Sequence, residues 1–387
     1  MIRVVPFRSP EEASRRLSFL GVPAADAEGL VADLRAFLVR IPFDHPGSEK
    51  IGKDLASRGV PVVTGTGARL LSISSRDQVA AWIRDDQGRG ACLEPLREAM
   101  DRYLAREFVV PCRDGALVLG GRPELMGILN VTPDSFSDGG RYLSADDAIR
   151  HGIAMAEEGA GIIDVGGEST RPGSAGVPPD EEARRVVPVV RGLAARTEAI
   201  VSIDTTKASV ARAAVEAGAR IVNDTSALRD DPGMASVVRD TGSAVVLMHR
   251  KGVPATMQVD PSYESLFDEI LAFFEERLEA AREIGIPRDR ILVDPGVGFG
   301  KRLADNLALH RHLDELRNLG RPIVFGPSRK SFLGTITGRP VGERAFATAA
   351  SVAWAAAQGA HVLRIHDVRE MRDVTGVACA IGEGPEC

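Results

Sequence analysis

Eight short apolar runs, each followed by a stretch with helical periodicity, dominate the chain from Phe108 onward. The runs are Leu125–Asn130, Gly161–Gly166, Ala199–Asp204, Arg220–Asp224, Ala244–His249, Arg290–Gly296, Pro322–Ser328 and His361–Asp367. Continuous apolar runs that alternate with helices are typical of parallel strands covered by helices. Eight such units in about 265 residues match the size of a (β/α)8 barrel, or TIM barrel. The sequence therefore predicts an α/β protein whose main domain, residues 106–387, is such a barrel.

Residues 1–105 follow a different pattern and predict a small α/β N-terminal domain of unknown role. The segment Ser9–Glu12 reads Ser-Pro-Glu-Glu, which predicts a helix start with serine as the N-cap and proline at the first helical position. The helical pattern continues to Arg40 with a break near Gly21, and the runs Val60–Thr64 and Arg69–Ile73 predict two strands. Because no catalytic motif stands out here, we expect a structural or assembly role, with a regulatory role as the alternative.

Composition excludes several classes of protein. The formal net charge is -6, so nothing electrostatic indicates nucleic acid or an anionic membrane as a partner. The most apolar stretch, Ala345–Ala357, is shorter than the ~20 residues that a membrane-spanning helix needs, and we expect it, with Trp354, in the core. The first ten residues contain no signal-peptide pattern, and the four cysteines show no metal-ligand spacing. These features predict a cytoplasmic protein with reduced thiols, and they give no indication of nucleic acid or a membrane as a partner.

Polar side chains follow the predicted strands where each strand ends. The active site of a (β/α)8 barrel forms at these carboxyl ends, from loops that belong to several strands. The residues at these positions include Asn130, Asp204, Asn223, Asp224, His249, Asp294, Ser328, Lys330, Arg364 and His366. A single aspartate at a strand end is more often a helix N-cap than a catalyst, and Asp224 is a candidate for that role. The presence of polar residues at the ends of so many predicted strands is what indicates an active site.

The residue types at these positions favour a particular ligand. Asp204, Asp294 and Asn223 are able to accept and donate hydrogen bonds along the edge of a flat nitrogen heterocycle. Lys330 is able to neutralise one carboxylate and to donate to a ring oxygen or nitrogen.

A second group of residues favours an anion. Arg364 and His366 are two residues apart on one strand and therefore on one face, and with Ser169 and Thr170 they suit a phosphate. Asn130 offers an oxygen to Mg2+, which binds few protein ligands when phosphate oxygens are present. Together the two groups predict a heterocycle with a phosphate-type leaving group.

Long ordered segments also resemble the signatures of dihydropteroate synthases. MGILNVTPDSFSDGG at Met126–Gly140 resembles the first signature, and DVGGESTRPG at Asp164–Gly173 resembles the second. SIDTTK, VND, DPGVGFGK, SRKSFLG and RIHDV follow in the family's order. The resemblance spans residues 108–382 and includes an early hairpin that closes the bottom of the barrel in the family.

The resemblance implies an activity and a set of site residues. The family condenses hydroxymethyl-dihydropterin diphosphate with p-aminobenzoate to give dihydropteroate and diphosphate, by an SN1-like route with Mg2+ as cofactor, and a homodimer is implied.

Asn130 would then be the Mg2+ ligand, and Arg364 and His366 would bind diphosphate with Arg171 nearby. The residues implied for the pterin are Asp204, Asn223, Asp294 and Lys330. Those implied for the aminobenzoate are Thr170, Arg171, Pro172, Phe299 and Ser331. Asp138 and Phe136 would lie on the first loop, which closes over the site. The residues with implied catalytic roles are Asp138, Lys330, Arg364 and His366.

One departure from the family and two alternatives remain. After His249 the family usually has Met-Gln-Gly or Met-Arg-Gly, whereas this chain has Arg250-Lys251-Gly252, which adds positive charge near the expected pterin side. One alternative function is pterin-dependent methyl transfer to a corrinoid protein. The other is a relative that binds a pterin without turnover.

Overall fold

The computed structural model describes residues 1–7, 9–32, 37–73, 75–85, 90–131, 145–168, 176–253 and 256–383. The chain divides into two compact units. One consists of Met1–Ala105 with Asp314–Gly320, and the other of Arg106–Leu313 with Arg321–Cys387. Within the described residues, no helix combines the length and the apolar character needed to cross a bilayer.

The N-terminal unit is a four-stranded antiparallel sheet with helices on both faces. Its strands are β1 (Arg3–Val5), β2 (Phe37–Pro42), β3 (Val62–Gly65) and β4 (Ala68–Ile73), in the order β1-β2-β4-β3. Its helices are α1 (Pro10–Phe19), α2 (Ala24–Ala32), α3 (Ser48–Ser57), α4 (Arg76–Asp85) and α5 (Glu94–Leu104). Side chains alternate along each strand, so that Leu38 faces a core with α1 and α2, and Val39 faces a core with α3 and α5.

The helical prediction up to Arg40 was wrong. Residues Phe37–Pro42 form the strand β2, which pairs with β1 on one side and with β4 on the other. β1 was not predicted at all. Pairing on both sides and burial on both faces override the local helical pattern of this segment.

Residues 314–320 belong to the N-terminal unit although they follow the barrel's sixth strand in the chain. The Asn318 side chain accepts from the Val4 N–H at 2.7 Å and donates to the Val4 carbonyl at 2.9 Å, so it takes the place of a strand residue beside β1. Arg16 pairs with Glu315 at 2.6 Å. This segment is therefore held to the N-terminal unit by specific polar contacts.

The second unit is the predicted barrel. Its strands are β7 (Glu124–Asn130), β8 (Ile162–Gly166), β9 (Ile200–Asp204), β10 (Ile221–Asp224), β11 (Ala244–Met248), β12 (Ile291–Asp294), β13 (Val324–Phe325) and β14 (Val362–Ile365). They are parallel, in the order β12-β11-β10-β9-β8-β7-β14-β13, and a parallel bridge between Val293 and Ile323 joins the two end strands. All eight predicted runs are confirmed as strands.

Helices follow the strands around the barrel. They are α6 (Ala145–Glu158), α7 (Pro179–Ala194), α8 (Ala208–Glu216), α9 (Met234–Thr241), α10 (Leu266–Ile284), α11 (Leu303–Arg311), α12 (Ser331–Thr337), α13 (Ala345–Ala357) and α14 (Val368–Glu383). The hairpin β5 (Phe108–Cys112) and β6 (Gly115–Leu119) packs Val110 and Leu117 onto residues at the strands' amino ends, such as Ile162 and Ile221. The hairpin therefore closes the bottom of the barrel and leaves the carboxyl ends for the site.

The prediction for Trp354 was wrong. This residue lies on α13 and is 47% exposed, rather than in the core. Its indole N–H donates to the His310 carbonyl at 2.7 Å, which holds the ring at the surface.

Candidate active site

Polar atoms converge on a pocket at the carboxyl ends of the barrel strands. The pocket encloses about 330 Å3, part of it open to solvent. Its polar lining consists of Asp204, Asn223, Thr225, Asp294, Lys330 and Arg364, and the remaining lining of Met248, Gly296, Val297, Phe299 and Gly326. All the polar lining residues except Thr225, together with Phe299, are among those selected from the sequence.

Arg364 is the centre of a buried network. Its Nε donates to Asp164 Oδ2 at 2.6 Å, and an outer nitrogen donates to Asp204 Oδ2 at 2.7 Å. The Asn223 amide donates to the same Asp164 oxygen at 2.9 Å. The sequence predicted Arg364 as an anion ligand and did not indicate these two carboxylate partners. Because of these two hydrogen bonds, one edge of the Arg364 guanidinium binds protein carboxylates rather than a ligand.

Asp164 is the residue of this network that the sequence reasoning missed. It lies in the middle of β8 rather than at its end, and it is fully buried. The available signal was an acidic residue inside an otherwise apolar run. Such a residue needs a partner when it is buried, and Arg364 and Asn223 are those partners.

The ionisation of Asp204 is shifted toward neutral pH. Burial raises its pKa to about 7; Arg364 acts in the opposite direction and Asp164 adds to the rise. For Arg364, burial alone would lower the pKa, but the carboxylates of Asp164 and Asp204 raise it above its ordinary value. Asp204 Oδ1 is buried and has no hydrogen-bond partner among the described residues. A ligand in the pocket would therefore meet an acceptor that the protein leaves unsatisfied.

The loop after β12 places Asp294 and Phe299. The Gly296 N–H donates to Asp294 Oδ1 at 2.7 Å, and burial raises the pKa of Asp294. Gly296 has φ 68°, and a Cβ there would lie 2.0 Å from the His249 carbonyl oxygen. Glycine is therefore required for the loop to pass this close to β11.

The turn after β13 places Lys330. The Lys330 ammonium lies 4.0 Å from the centre of the Phe299 ring, which is a cation–π contact. Arg344 donates to the carbonyls of Arg329 and Lys330 at 3.0 and 3.2 Å, and Arg329 pairs with Asp367. These contacts hold the backbone that carries Lys330.

Three other predicted site residues lie outside the pocket lining. His366 is half-buried, and its Nδ1 lies 2.9 Å from Ser328 Oγ. Ser331 begins α12 and is exposed. Asn130 ends β7, and a Cβ at Gly166 would lie 3.7 Å from Asn130 Oδ1 and 3.8 Å from Asp204 Oδ2. The Asn130 amide and the Asp204 carboxylate therefore flank the same point of the backbone.

Four predicted site residues, Asp138, Thr170, Arg171 and Pro172, lie outside the described residues, as does Phe136. The helix N-cap role expected of Asp224 was wrong. Its carboxylate accepts from the N–H groups of Ser226 and Leu228 at 2.8 and 2.7 Å in the turn after β10, whereas the next helix, α9, begins at Met234 with Gly233 as its N-cap.

The expectation that Arg250 and Lys251 add charge beside the pterin was wrong. Arg250 is buried and pairs with Asp230, and Lys251 pairs with Glu269 at 2.7 Å. Neither residue lines the pocket. Both charges are neutralised locally, which is how the chain accommodates its departure from the usual family sequence.

Comparison with known proteins agrees with this geometry. The profile of the family described as "Pterin binding enzyme" matches residues 126–366. The dihydropteroate synthase of Escherichia coli strain K12 is 46% identical over 248 residues, which cover 64% of this chain and 88% of the relative. The chain belongs to the dihydropteroate synthase family.

Solved dihydropteroate synthases have the same fold. A Yersinia pestis dihydropteroate synthase with a sulfonamide drug superposes with a TM-score of 0.69 at 43% identity, covering 72% of this chain and all of that one. The Xanthomonas albilineans dihydropteroate synthase with 4-aminobenzoic acid superposes with a TM-score of 0.65 at 46% identity, covering 70% and 96%. The dihydropteroate synthase prediction is thereby confirmed in preference to the corrinoid methyltransferase alternative.

Proposed function

We propose that this protein condenses 6-hydroxymethyl-7,8-dihydropterin diphosphate with p-aminobenzoate to give 7,8-dihydropteroate and diphosphate. The observation that carries the proposal is the unsatisfied Asp204 Oδ1 in a pocket whose other polar groups also suit a pterin edge. Relatives support it, since Xanthomonas albilineans dihydropteroate synthase has been solved with 4-aminobenzoic acid and with 7,8-dihydropteroate.

The pterin ring binds in the pocket among Asp204, Asn223, Asp294 and Lys330. Its ring N–H and amino groups donate to the carboxylates of Asp204 and Asp294, while the Asn223 amide completes the edge. Lys330 donates to a ring oxygen or nitrogen from its place over Phe299. Because these groups are already fixed by Arg364, Gly296 and Phe299, little reorganisation is needed when the ring binds.

The diphosphate binds toward Asn130, His366 and the free edge of Arg364, and the family resemblance adds Arg171 to this group. Among the described residues, no three His, Cys, Asp or Glu side chains are grouped to hold a metal. An amide oxygen such as that of Asn130 nevertheless fits Mg2+, which takes most of its ligands from phosphate and water in sites of this kind. When bound, Mg2+ would offset negative charge on the departing diphosphate.

The reaction proceeds in an SN1-like manner. Departure of diphosphate breaks the bond to the pterin methylene and leaves positive charge there, which the carboxylates of Asp204 and Asp294 stabilise. The amino nitrogen of p-aminobenzoate then forms the new bond to the methylene carbon and releases one proton to solvent. For the aminobenzoate, the family resemblance assigns Thr170, Arg171, Pro172, Phe299 and Ser331, and it assigns a catalytic role to Asp138.

A direct assay tests the proposal. The purified protein is mixed with the pterin diphosphate, p-aminobenzoate and Mg2+, and release of diphosphate is measured together with formation of dihydropteroate. We expect both products to appear in equal amounts, and neither when one substrate is omitted. Binding of the pterin without any turnover would favour the non-catalytic alternative.

We also propose a homodimer that uses α13 and α14. These two helices pack against each other, and they expose Trp354, Val377 and Ile381, of which Val377 is 61% and Ile381 77% exposed. Large exposed apolar residues on adjacent helices are typical of an interface, and a second copy of the same chain is the partner that symmetry favours. The cytoplasmic location stays a prediction; Cys92 and Cys112 are free thiols.

A further inference from the structure

Three successive backbone carbonyls in the loop after β12 each accept a hydrogen bond from a different side chain. Gln258 donates to the Gly298 carbonyl, Lys301 Nζ to the Phe299 carbonyl at 3.1 Å, and the Tyr263 hydroxyl to the Gly300 carbonyl at 2.8 Å. Phe299 is the middle residue, and its side chain lines the pocket. Loop carbonyls usually face water, so three protein donors in a row hold this segment unusually firmly.

Lys301 is the most buried of these three donors. It is 3% exposed, and besides the Phe299 carbonyl its Nζ contacts His249 Nδ1 at 3.0 Å and the His249 carbonyl at 3.4 Å. Burial lowers the pKa of Lys301 to about 7, and burial followed by the Lys301 charge keeps the pKa of His249 well below its ordinary value. His249 is therefore neutral, and its Nδ1 is able to accept from Lys301. A buried lysine is costly unless it is paired, so its retention beside the pocket calls for a role.

The loop that carries Phe299 lies against the Lys330 side chain. The Phe299 ring lies under the Lys330 ammonium at 4.0 Å. At Gly298 a Cβ would lie 3.3 Å from Lys330 Cδ, so the Lys330 stem runs close along this loop. A shift of the loop would consequently move both the ring and the ammonium.

We propose that Lys301 is a positioning residue for the aminobenzoate and pterin sites, acting through the Phe299 carbonyl. This inference rests on the proposed synthase function and assigns to that site a residue outside the pocket lining. By holding the Phe299 carbonyl, Lys301 fixes the position of the Phe299 ring in the pocket. The ring in turn holds the Lys330 ammonium through the cation–π contact. Gln258 and Tyr263 hold the residues on either side, so Phe299 has a single orientation when the substrates arrive.

Steady-state kinetics of Lys301→Met provide the test, with Lys53→Met, at an exposed position on α3, as the matched control. Methionine keeps the length of the side chain and removes its donors. We expect the KM for p-aminobenzoate to rise on the order of tenfold, the KM for the pterin diphosphate to rise less, and kcat to change least. Tyr263→Phe, which removes one hydroxyl, should change the same kinetic constants in the same direction by a smaller factor. This variant replaces Lys301→Met in the test if Lys301→Met does not fold.

A double-mutant cycle with Phe299→Leu separates positioning from a merely structural role. If Lys301 acts through Phe299, the double variant should be little worse than Phe299→Leu alone. Additive losses in the cycle, or a lower melting temperature with unchanged KM values, would overturn the inference while the synthase function stands. If the wild-type protein shows no turnover, the synthase proposal fails first. Calorimetric titration of 7,8-dihydropteroate into the same variants then decides the positioning role, and equal affinities would overturn it.

Discussion

Arg364 and Asp204 share one hydrogen bond of 2.7 Å, and the other oxygen of Asp204, a residue that lines the pocket, has no partner among the described residues. The arginine therefore fixes the carboxylate and partly offsets the effect of burial, while one acceptor stays available for a ligand. The pH behaviour of the enzyme follows from this pair.

The rate at low substrate should depend on the ionisation of Asp204. Since burial raises the pKa of Asp204 to about 7, the carboxylate is protonated below that pH and loses acceptor capacity for the pterin. We expect kcat/KM to rise with pH up to about 7 and then to level off. In Arg364→Met, which removes the compensating charge, the rising limb should move to higher pH. A profile that is flat from pH 5 to 8 in the wild-type protein would contradict this assignment of the pKa.

The same shift has a consequence for stability. The ordinary pKa of an aspartate is 3.8, so between 3.8 and about 7 the folded protein retains a proton that the unfolded chain releases. The contribution of Asp204 to the free energy of unfolding is therefore full below 3.8 and is lost as the pH rises through 7. Asp204→Asn should remove this part of the pH dependence, measured by urea unfolding at several pH values.

Lys330→Ala should abolish most turnover and leave the fold intact. The variant removes the cation over Phe299 and leaves Asp204 and Asp294 without its charge, which costs a few kcal/mol in transition-state binding, or roughly a hundredfold or more in kcat/KM. Circular dichroism checks the fold, and Lys53→Ala is the control. A folded variant with wild-type kcat/KM would show that Lys330 does not act on the substrate.

Deletion of residues 1–105 should leave a barrel that still makes dihydropteroate. Every pocket-lining residue in the described part of the chain lies between 204 and 364, and the closing hairpin begins at Phe108. The deletion also removes the partners of Glu315 and Asn318, so we expect a lower melting temperature. A soluble, folded truncation without activity would instead give the N-terminal unit a part in the site or in its assembly.

Charge on the exposed apolar surface of α14 should prevent dimer formation. Val377→Glu and Ile381→Glu place a carboxylate where the proposed interface would bury it, which is strongly unfavourable without a partner. Light scattering during size-exclusion chromatography should report a dimer for the wild-type protein and a monomer for each variant. Phe19→Glu, at an exposed position of the N-terminal unit, should remain a dimer. A monomeric wild-type protein would refute the proposed interface.

Much of the site was predictable because its parts are local in sequence. Asp204, Asn223 and Asp294 stand at the ends of apolar runs, and parallel strands bring such ends together at one end of a barrel. The network behind them was not predictable in this way. Asp164 lies inside a strand, and its partner Arg364 is 200 positions away in the chain.

The sequence by itself determined the eight strands, the class of ligand and the family, because apolar periodicity and strand-end polarity are properties of neighbouring residues. Only the tertiary structure decided that Phe37–Pro42 is a strand, that residues 314–320 belong to the N-terminal unit, and that Lys301 donates to the Phe299 carbonyl. These outcomes depend on partners distant in the chain, whose hydrogen bonds and burial outweigh the local preference of each segment.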